Sequence, residues 1–435
     1  MLNPREIAFE ALNKIEKEGA YSNIALDFLL SKTDLDARDR SFVSNLFYGV
    51  IERKITLDYQ LEQFLSQPLK KLKSEVLTIL RMGTYQILFM DKIPSSAAVN
   101  ECVKISKKRG FSYASGLINA VLRKIDKNGL ILPEIKNSAE FLSVKYSCPL
   151  WLVNKWTKEY GSENTMEILS ASIGANNNYI KVNTIKTDEN ALIGLLKDED
   201  VECFRTEIDG CLKVILKGKA VENLDSFKKG LFHVQDAACQ LCVRALNAKE
   251  GDTVFDLCAA PGGKTYSIAE NIGNTGKVVS FDIHSHRVQL IRDGAERLGL
   301  SCVEAREGDA TVFNPELGEA DTVLCDVPCS GFGIIGKKPE IKYKNPDEVK
   351  QLPELQQKIL TTGSKYVKTG GRLVYSTCTL SKSENQKVCD RFLSANENFV
   401  AVRPLPDYSE EYFLTLMPHI NHTDGFFIAC FERIK

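Results

Sequence analysis

The chain has 435 residues, more than one ordinary hydrophobic core accommodates, so we expect several domains. Hydrophobic residues make up 43% and charged residues 26%, which are the proportions of a folded globular protein and exclude a disordered or fibrous one. The net charge of −1 hides an asymmetry, because residues 1–125 contain 19 Lys and Arg against 14 Asp and Glu. A positive first segment favours a polyanionic partner, although an ordinary solvated surface has the same composition.

Other classes of protein are disfavoured as well. No apolar run approaches the roughly 20 residues that span a bilayer, so we expect no membrane segment. Arg5, Glu6 and Glu10 lie inside a helical pattern at the amino terminus, unlike a secretory signal, and we expect a cytoplasmic protein. The thirteen cysteines are odd in number and scattered, which argues against a disulfide framework. Cys239 and Cys242 form a lone CxxC without the further ligands of a zinc site, so we expect no metal.

Helical periodicity dominates residues 4–124, and we expect an all-helical domain over residues 1–128. One helix is predicted to begin at Asp39, because an acidic residue there precedes apolar residues at helical spacing. Those apolar residues are Phe42, Val43, Leu46, Phe47, Val50 and Ile51. Turn-forming residues then become frequent, so we expect a linker at 129–150.

Residues 151–232 alternate between helix and strand signals and predict a small α+β module. A helix is expected around 150–160 and a second one, capped by Asp188, ends near residue 197. Strands are expected at 179–186 and 211–216.

Short apolar strands alternate with helices in residues 233–435, as parallel βαβ units require. The predicted strands are 253–257, 277–281, 321–325 and 372–375. A doubly wound α/β sheet binds its ligands at the carboxyl ends of its strands. Residues directly after these strands are therefore the candidates for chemistry.

The first strand leads into a loop of small residues and then directly into a helix. The loop consists of Cys258, Ala259, Ala260, Pro261, Gly262, Gly263 and Lys264. Its glycines allow a ligand to approach the backbone, and the helix amino terminus offers unpaired N–H groups, so we expect a nucleotide-like cofactor. The alternative is a phosphate-binding P-loop, because the Gly-Lys-Thr triplet matches its last positions, but that motif needs glycine at residue 258.

Two aspartates follow later strands. Asp282 ends the second predicted strand, where a carboxylate accepts hydrogen bonds from ribose hydroxyls; a helix cap is the structural alternative. Asp309 ends a third candidate strand and is placed to meet an adenine amino group, although a turn aspartate has the same pattern.

The last two predicted strands each lead into a loop that contains a cysteine. Asp326-Val327-Pro328-Cys329 follows one of them and Ser376-Thr377-Cys378 follows the other. A buried core cysteine is inert, whereas a loop thiol beside polar donors is a candidate nucleophile. Two such loops at the ligand-binding edge, together with the cofactor loop, favour catalysis.

These motifs resemble those of the RNA cytosine-5 methyltransferases that use S-adenosyl-L-methionine. The matching segments are the cofactor loop, the Pro-Cys and Thr-Cys motifs, Gln235-Asp236 and Asp424-Gly425-Phe426-Phe427. The helical region resembles the RNA-binding antiterminator NusB by pattern, and the combination is similar to the bacterial small-subunit ribosomal RNA methyltransferases. The chain departs from the family at Lys337-Lys338, where arginine is common, and at His422-Thr423, where a glycine is often found.

The resemblance implies a multidomain chain: a NusB-like all-α domain, an RRM-like α+β RNA-binding module and a Rossmann-like methyltransferase sheet. It implies methylation of C5 of a cytidine in 16S rRNA, with S-adenosyl-L-methionine bound by residues 258–264, Asp282, Asp309 and Asp326. We expect a monomer. Methylation of another RNA, such as tRNA or 23S rRNA, and a non-catalytic RNA-binding ribosome assembly factor are the alternatives.

By the same resemblance, Cys378 adds to C6 of the cytosine, Asp326 hydrogen-bonds the N3 edge of the base, and Cys329 assists release of the enzyme. DNA cytosine-5 methyltransferases take their nucleophile from a Pro-Cys motif, which would point to Cys329 instead. Lys264 is expected to face the cofactor or the substrate. The four lysines at 337, 338, 342 and 344 would hold RNA phosphates or form a solvated charge run.

Overall fold

A computed structural model of the chain describes residues 3–18, 22–174 and 178–435. The chain divides into two compact units, Met1–Ile173 and Gly174–Lys435. Within the described ranges, no helix is both long enough and apolar enough to cross a membrane.

The regular structure described in the first unit is α-helical, which confirms the predicted all-helical domain. Its helices are α1 (Pro4–Glu18), α2 (Ser22–Ser31), α3 (Ala37–Glu52), α4 (Lys54–Glu62), α5 (Ser74–Phe89), α6 (Ser95–Lys108), α7 (Ser115–Asn128), α8 (Ala139–Lys145), α9 (Leu150–Tyr160) and α10 (Ser162–Ala171). Apolar residues at helical spacing form the core, as Phe47 of α3, Leu80 of α5 and Ile118 of α7 show by their complete burial.

Two details of this unit differ from the expectations. Helix α3 begins at Ala37, because the carboxylate of Asp36 accepts a hydrogen bond from the backbone N of Asp39 at 2.7 Å. The prediction that Asp39 opens this helix was therefore wrong, and Asp39 lies in the first turn. Helix α8 lies within residues 129–150, capped by Ser138, whose hydroxyl accepts from the N of Phe141 at 3.1 Å.

The second unit begins with the strands of the α+β module predicted at 151–232, whereas the helix expected around 150–160 is α9 of the first unit. Its elements are β1 (Asn178–Val182), α11 (Glu189–Asp198), β2 (Glu202–Arg205), β3 (Cys211–Ile215), α12 (Asp225–Lys228) and β4 (Phe232–Val234). The strands form an antiparallel sheet in the order β2-β3-β1-β4. Asp188 caps α11 as predicted, since its carboxylate accepts from the N of Ala191 at 3.0 Å.

The larger sheet and its helices complete this unit. The strands are β5 (Thr253–Asp256), β6 (Lys277–Asp282), β7 (Val303–Glu307), β8 (Ala320–Asp326), β9 (Val367–Thr377), β10 (Phe399–Val402), β11 (Phe413–Leu416) and β12 (Phe426–Arg433). The helices are α13 (Ala237–Leu246), α14 (Gly263–Asn271), α15 (Ser285–Leu298), α16 (Pro346–Val349), α17 (Leu352–Ser364), α18 (Gln386–Ala395) and α19 (Pro418–Asn421).

Strand order in the larger sheet is β10-β12-β9-β8-β5-β6-β7, with β11 also paired to β12. The strands β7, β6, β5, β8 and β9 are parallel, as expected, whereas β12 runs antiparallel to β9 and makes the sheet mixed. Apolar side chains alternate between two faces. Val254 packs in the core that includes α13, α14 and α15, and Phe255 packs in the core that includes α17 and α18. The helices on both faces are those of a Rossmann-like sheet.

Candidate active site

The loop between β5 and α14 is held in place at both sides. Gly262 adopts a φ of 112°, and a Cβ at this position would lie 2.3 Å from the hydroxyl oxygen of Tyr266, so glycine is required here. The backbone N of Ala259 donates to the carbonyl of Phe281 at 2.8 Å, which ties the loop to β6. The loop therefore brings the amino terminus of α14 to the carboxyl edge of the sheet.

Asp256, the last residue of β5, is a fully buried carboxyl that sequence reasoning missed. It accepts a hydrogen bond from the hydroxyl of Thr265 at 2.8 Å, and its other oxygen has no partner in the part of the chain that is described. Burial raises the pKa of Asp256 to about 7. Its position two residues before the glycine loop was the signal that could have marked it.

Asp282 ends β6, the strand next to β5, and Asp309 follows β7, which pairs with the other side of β6. The buried carboxylate of Asp282 accepts from the N of His284 at 3.0 Å and lies 3.2 Å from the guanidinium of Arg287. Arg287 also donates to the carbonyl of Ala260 at 2.9 Å and so links Asp282 to the glycine loop. Asp309 is exposed, and its carboxylate accepts hydrogen bonds from the N and hydroxyl of Thr311 in a local turn.

Lys264 and Asp326 form an ion pair between the glycine loop and the end of β8. The Lys264 Nζ lies 2.7 Å from one carboxylate oxygen of Asp326, and the Ser376 hydroxyl donates to the other at 2.7 Å. Burial lowers the pKa of Lys264, but the Asp326 carboxylate outweighs it and holds that pKa well above its ordinary value. Lys264 is thus a cation held at the site, with a side chain that is only 12% exposed.

The two loop cysteines predicted for catalysis lie side by side. The sulfur atoms of Cys329, after β8, and Cys378, after β9, are 3.1 Å apart. The hydrogen bond from Cys329 lowers the pKa of Cys378 against the opposing effect of burial, and Lys264 lowers it further. The same hydrogen bond, together with burial, raises the pKa of Cys329 well above its ordinary value. Of the two thiols, Cys378 is therefore the one that ionises more readily.

A second buried carboxyl, Glu384, supports the Pro-Cys loop and was missed by sequence reasoning. It is fully buried and accepts hydrogen bonds from the backbone N of Ser330 at 2.8 Å, from the Ser330 hydroxyl at 2.7 Å and from the Gln356 amide at 3.1 Å. The backbone N of Gly333 donates to the carbonyl of Cys378 at 2.9 Å. These bonds fix the two cysteine loops relative to each other.

Lys337 joins the two remaining motifs. Its Nζ lies 2.5 Å from a carboxylate oxygen of Asp236 and 2.9 Å from one of Asp424. Burial and the neighbouring Asp236 carboxylate raise the pKa of Asp424 to about 7. Lys337 is therefore the cation of a three-residue cluster with Asp236 and Asp424.

The expected basic patch is only partly present. Besides Lys337, Lys342 is 3% exposed, and Lys344 donates to the carbonyl of Ser330 at 2.9 Å. Lys338 is exposed and has no ion pair with any described residue. One of the four lysines is thus available to RNA without breaking an existing interaction.

All thirteen cysteines are free thiols. Cys239 and Cys242 of the CxxC lie in α13, where they pack against the core beneath β5 and β12. No group of side chains in the described residues has the composition of a metal site.

Three family descriptions match successive parts of the chain: the NusB family at residues 2–127, the ferredoxin-like domain of RsmF/B-like methyltransferases at 148–216, and 16S rRNA methyltransferase RsmB/F at 243–432. They agree with the helical domain, the small α+β module and the large sheet.

Full-length relatives have the same organisation. The chain is 37% identical to a probable ribosomal RNA small subunit methyltransferase B of Bacillus subtilis, over 99% of this chain and 98% of that protein. It is 34% identical to a protein of the same name from Synechocystis, over the full length of both. The crystal structure of PH0851 covers 100% of this chain and 99% of its own, with 29% identity and a TM-score of 0.84. The chain therefore belongs to the RsmB/F family of methyltransferases.

Proposed function

We propose that this protein transfers a methyl group from S-adenosyl-L-methionine to C5 of a cytidine in 16S rRNA, through a covalent bond between Cys378 and C6 of the base. The observation that carries the proposal is the thiol pair: two sulfur atoms 3.1 Å apart, with the pKa of Cys378 lowered, beside the Lys264 and Asp326 ion pair. The names of the full-length relatives support ribosomal RNA of the small subunit as the substrate.

The residues at the strand ends fit the cofactor. The open amino terminus of α14 and the left-handed Gly262 allow close approach of a ligand to the backbone, and the Asp282 carboxylate suits ribose hydroxyls. Residues 258–264, Asp282 and Asp326 would hold the cofactor, and Asp309 would reach it only after giving up its turn. When bound, S-adenosyl-L-methionine supplies an electrophilic methyl group on a positively charged sulfur.

The cysteines supply the activation that cytosine needs. C5 of cytosine is a weak nucleophile, and addition of the Cys378 thiolate to C6 gives the ring enamine character. The Asp326 carboxylate, fixed by Lys264 and Ser376, is placed to accept a hydrogen bond from the exocyclic amine of the base and to share a proton with N3, which neutralises the negative charge that moves onto the ring. After C5 has taken the methyl group, its proton passes to solvent with the assistance of Cys329. The electrons of the C5–H bond form the C5–C6 double bond again, and the bond between C6 and sulfur breaks to release the Cys378 thiolate.

The site also limits the form of the substrate. Cys378 is partly buried, and both cysteine loops are enclosed by the contacts of Glu384 and Gly333. A base stacked in a duplex does not reach such a thiol, so the target cytidine must be single-stranded or turned out of its stack.

Labelled S-adenosyl-L-methionine and unmodified 16S rRNA made by transcription test the proposal. With the unaltered protein we expect label at C5 of one cytidine. With Cys378→Ala we expect the rate of methyl transfer to fall by at least about a thousandfold, because no other group supplies the C6 nucleophile. Cys302→Ala, which removes a partly buried thiol from the far edge of the sheet, is the matched control and should keep full activity. Methyl transfer by Cys378→Ala at the control's rate would disprove the assignment.

A further inference from the structure

The sheet of the α+β module has two different faces. On one face, β1 and β3 pack against α11 and α12 through a shared apolar core. On the other face, β1 and β4 are covered by residues near the start of α13 and by α14, as Tyr179, Ala237 and the His233 ring show. The β2 and β3 part of this second face is open, since Phe204 is 49% exposed and Ile215 is 43% exposed.

The strand register places three side chains in one row across this second face. Phe204 of β2 pairs with Lys213 of β3, and Lys213 pairs with Tyr179 of β1. Directly opposed residues of an antiparallel sheet share a face, with neighbouring strands about 4.8 Å apart. The row therefore runs about 10 Å, from an exposed aromatic ring across a half-buried lysine to a buried tyrosine.

The inner end of the row meets the cluster beside the catalytic loops. The Nζ of Lys337 lies 5.8 Å from the centre of the Tyr179 ring, and the Tyr179 hydroxyl donates to the carbonyl of His422 at 2.9 Å. Lys337 is followed by the exposed Lys338, whose charge contributes to the low pKa of Cys378. The inner end of the row thus lies beside Lys337, whose chain neighbour Lys338 acts electrostatically on Cys378.

The charges along this path favour an anionic partner. Lys213 and Lys338 have no ion pair among the residues that the structure describes, so both can meet phosphates. At the outer end of the row, the carboxylate of Glu202 is paired with Lys217 at 3.0 Å. At the inner end, the carboxylates of Asp236 and Asp424, which act on Tyr179, are both paired with Lys337. An exposed aromatic ring next to an unpaired lysine combines a surface for base stacking with a phosphate contact.

We propose that the row of Phe204, Lys213 and Tyr179 binds the single-stranded RNA that flanks the target cytidine, with one base stacked on Phe204 and a phosphate on Lys213. The proposal rests on the proposed function, because it takes the target base to lie at Cys378. Since a β-sheet face reads unstacked bases, a flanking strand held here would keep the target segment open.

The experiment compares Phe204→Ala and Lys213→Ala with matched controls on the other face of the module, Leu195→Ala and Lys197→Ala. Leu195 is 41% exposed, close to the exposure of Phe204, and Lys197 is an exposed lysine on the same helix. We expect Phe204→Ala to weaken binding of unmodified 16S rRNA and raise its KM by about 5- to 150-fold, the value of one base stack, with kcat within about twofold. Phe204→Trp should restore binding.

Lys213→Ala has its own readout, which a merely structural role would not move. Loss of one phosphate contact should make the negative slope of log K against log salt shallower by about 0.7. Filter-binding measurements report RNA affinity and do not depend on methyl transfer. They therefore still test the row if the unaltered protein proves inactive as a methyltransferase. Such inactivity would count against the proposed function alone. Equal RNA affinity in Phe204→Ala and Leu195→Ala, or an unchanged salt slope in Lys213→Ala, would overturn the inference.

Discussion

At the scale of single residues, position shifts the pKa values of two identical thiols in opposite directions. Cys329 and Cys378 share one hydrogen bond, and that bond lowers the pKa of Cys378 while it raises the pKa of Cys329. A thiolate adds to an electrophilic carbon and a neutral thiol does not, so the asymmetry separates attack from assistance. This supports Cys378, and not the Pro-Cys cysteine, as the nucleophile.

Replacing Cys329 by alanine should therefore trap the reaction. Addition of Cys378 to C6 remains possible, whereas the later loss of the C5 proton and release of the enzyme should stall, so a covalent complex of protein and RNA is expected to accumulate. It would migrate slowly on a denaturing gel after incubation with 16S rRNA and S-adenosyl-L-methionine. The double variant Cys329→Ala, Cys378→Ala is the control and should give no such band. A band of equal intensity in both would place the covalent bond on another residue.

Part of the site could be predicted from the sequence because its candidate reactive residues stand at the ends of recognisable strands. Cys329, Cys378 and Asp326 follow or end apolar strands, and carboxyl ends of parallel strands share an edge, so their proximity could be expected. Asp256 and Glu384 were missed because the sequence does not show whether a carboxyl group is buried. The hydrogen bond between Glu384 and Ser330 joins residues 54 positions apart, which no local pattern reveals.

At the scale of elements, polar contacts of β5 and α14 hold the glycine loop between them on the sheet. Thr265 of α14 donates to Asp256 of β5 at 2.8 Å and lies 3.0 Å from the hydroxyl of Ser280 in β6. All three side chains are fully buried, so the helix amino terminus is fixed by polar contacts as well as by packing. Because Asp256 is buried without a cation in contact, its neutral form is favoured.

This arrangement gives the protein a pH-dependent stability. The pKa of Asp256 is raised from 3.8 to about 7, so the folded state holds a proton that the unfolded chain releases above pH 4. The stability that this proton contributes is complete below pH 4 and is lost as pH rises to 7. Relative to Asp256→Asn, which has no proton to lose, the free energy of unfolding should fall by up to about 1.4 kcal/mol per pH unit in this window.

Urea unfolding followed by circular dichroism between pH 4.5 and 7.5 measures the difference. Asp309→Asn, which removes an exposed carboxylate from the same edge of the sheet, shows whether any loss of charge has this effect. Parallel curves for the unaltered protein and Asp256→Asn would contradict the prediction.

Central strands were easier to predict than edge strands. The runs that became β5, β6, β8 and β9 are apolar because both faces of a central strand are buried. Strand β2 is mostly exposed and β4 has only three residues, so neither has an apolar run to recognise. Strand β12 is an exception, because it is an interior strand with a buried apolar run that was not predicted. Its antiparallel pairing with β9 joins distant segments and could not be inferred from the local pattern.

At the scale of the whole molecule, part of the positive charge of the first unit is gathered around one cleft. A cleft of about 440 Å³ lies between the segment before α5 and the start of α7, lined by Lys71, Lys73 and Tyr113 among others. Tyr113 is 68% exposed, and the Nζ of Lys73 lies 5.9 Å from the centre of its ring. Lys70 adjoins the cleft, and none of the three lysines forms an ion pair with a described residue.

Removing these charges should weaken RNA binding without changing the chemistry. We expect the triple variant Lys70→Ala, Lys71→Ala, Lys73→Ala to raise the KM for 16S rRNA about tenfold or more and to lower the slope of log K against log salt by about 2, with kcat preserved. Methylation kinetics and filter binding between 50 and 200 mM salt measure both quantities.

A second triple variant separates the location of the charge from its sum. Lys104→Ala, Lys124→Ala, Lys127→Ala removes the same charge from α6 and α7, where Lys104 is already paired with Glu101 at 2.7 Å and the other two side chains are exposed. Long-range attraction depends on net charge and would weaken equally in both variants, whereas direct phosphate contacts are lost only where the RNA lies. If the slope of log K against log salt becomes shallower by more in the cleft variant, the RNA lies at the cleft. If it changes equally in both variants, the first unit attracts RNA through its net charge and not through contacts at the cleft.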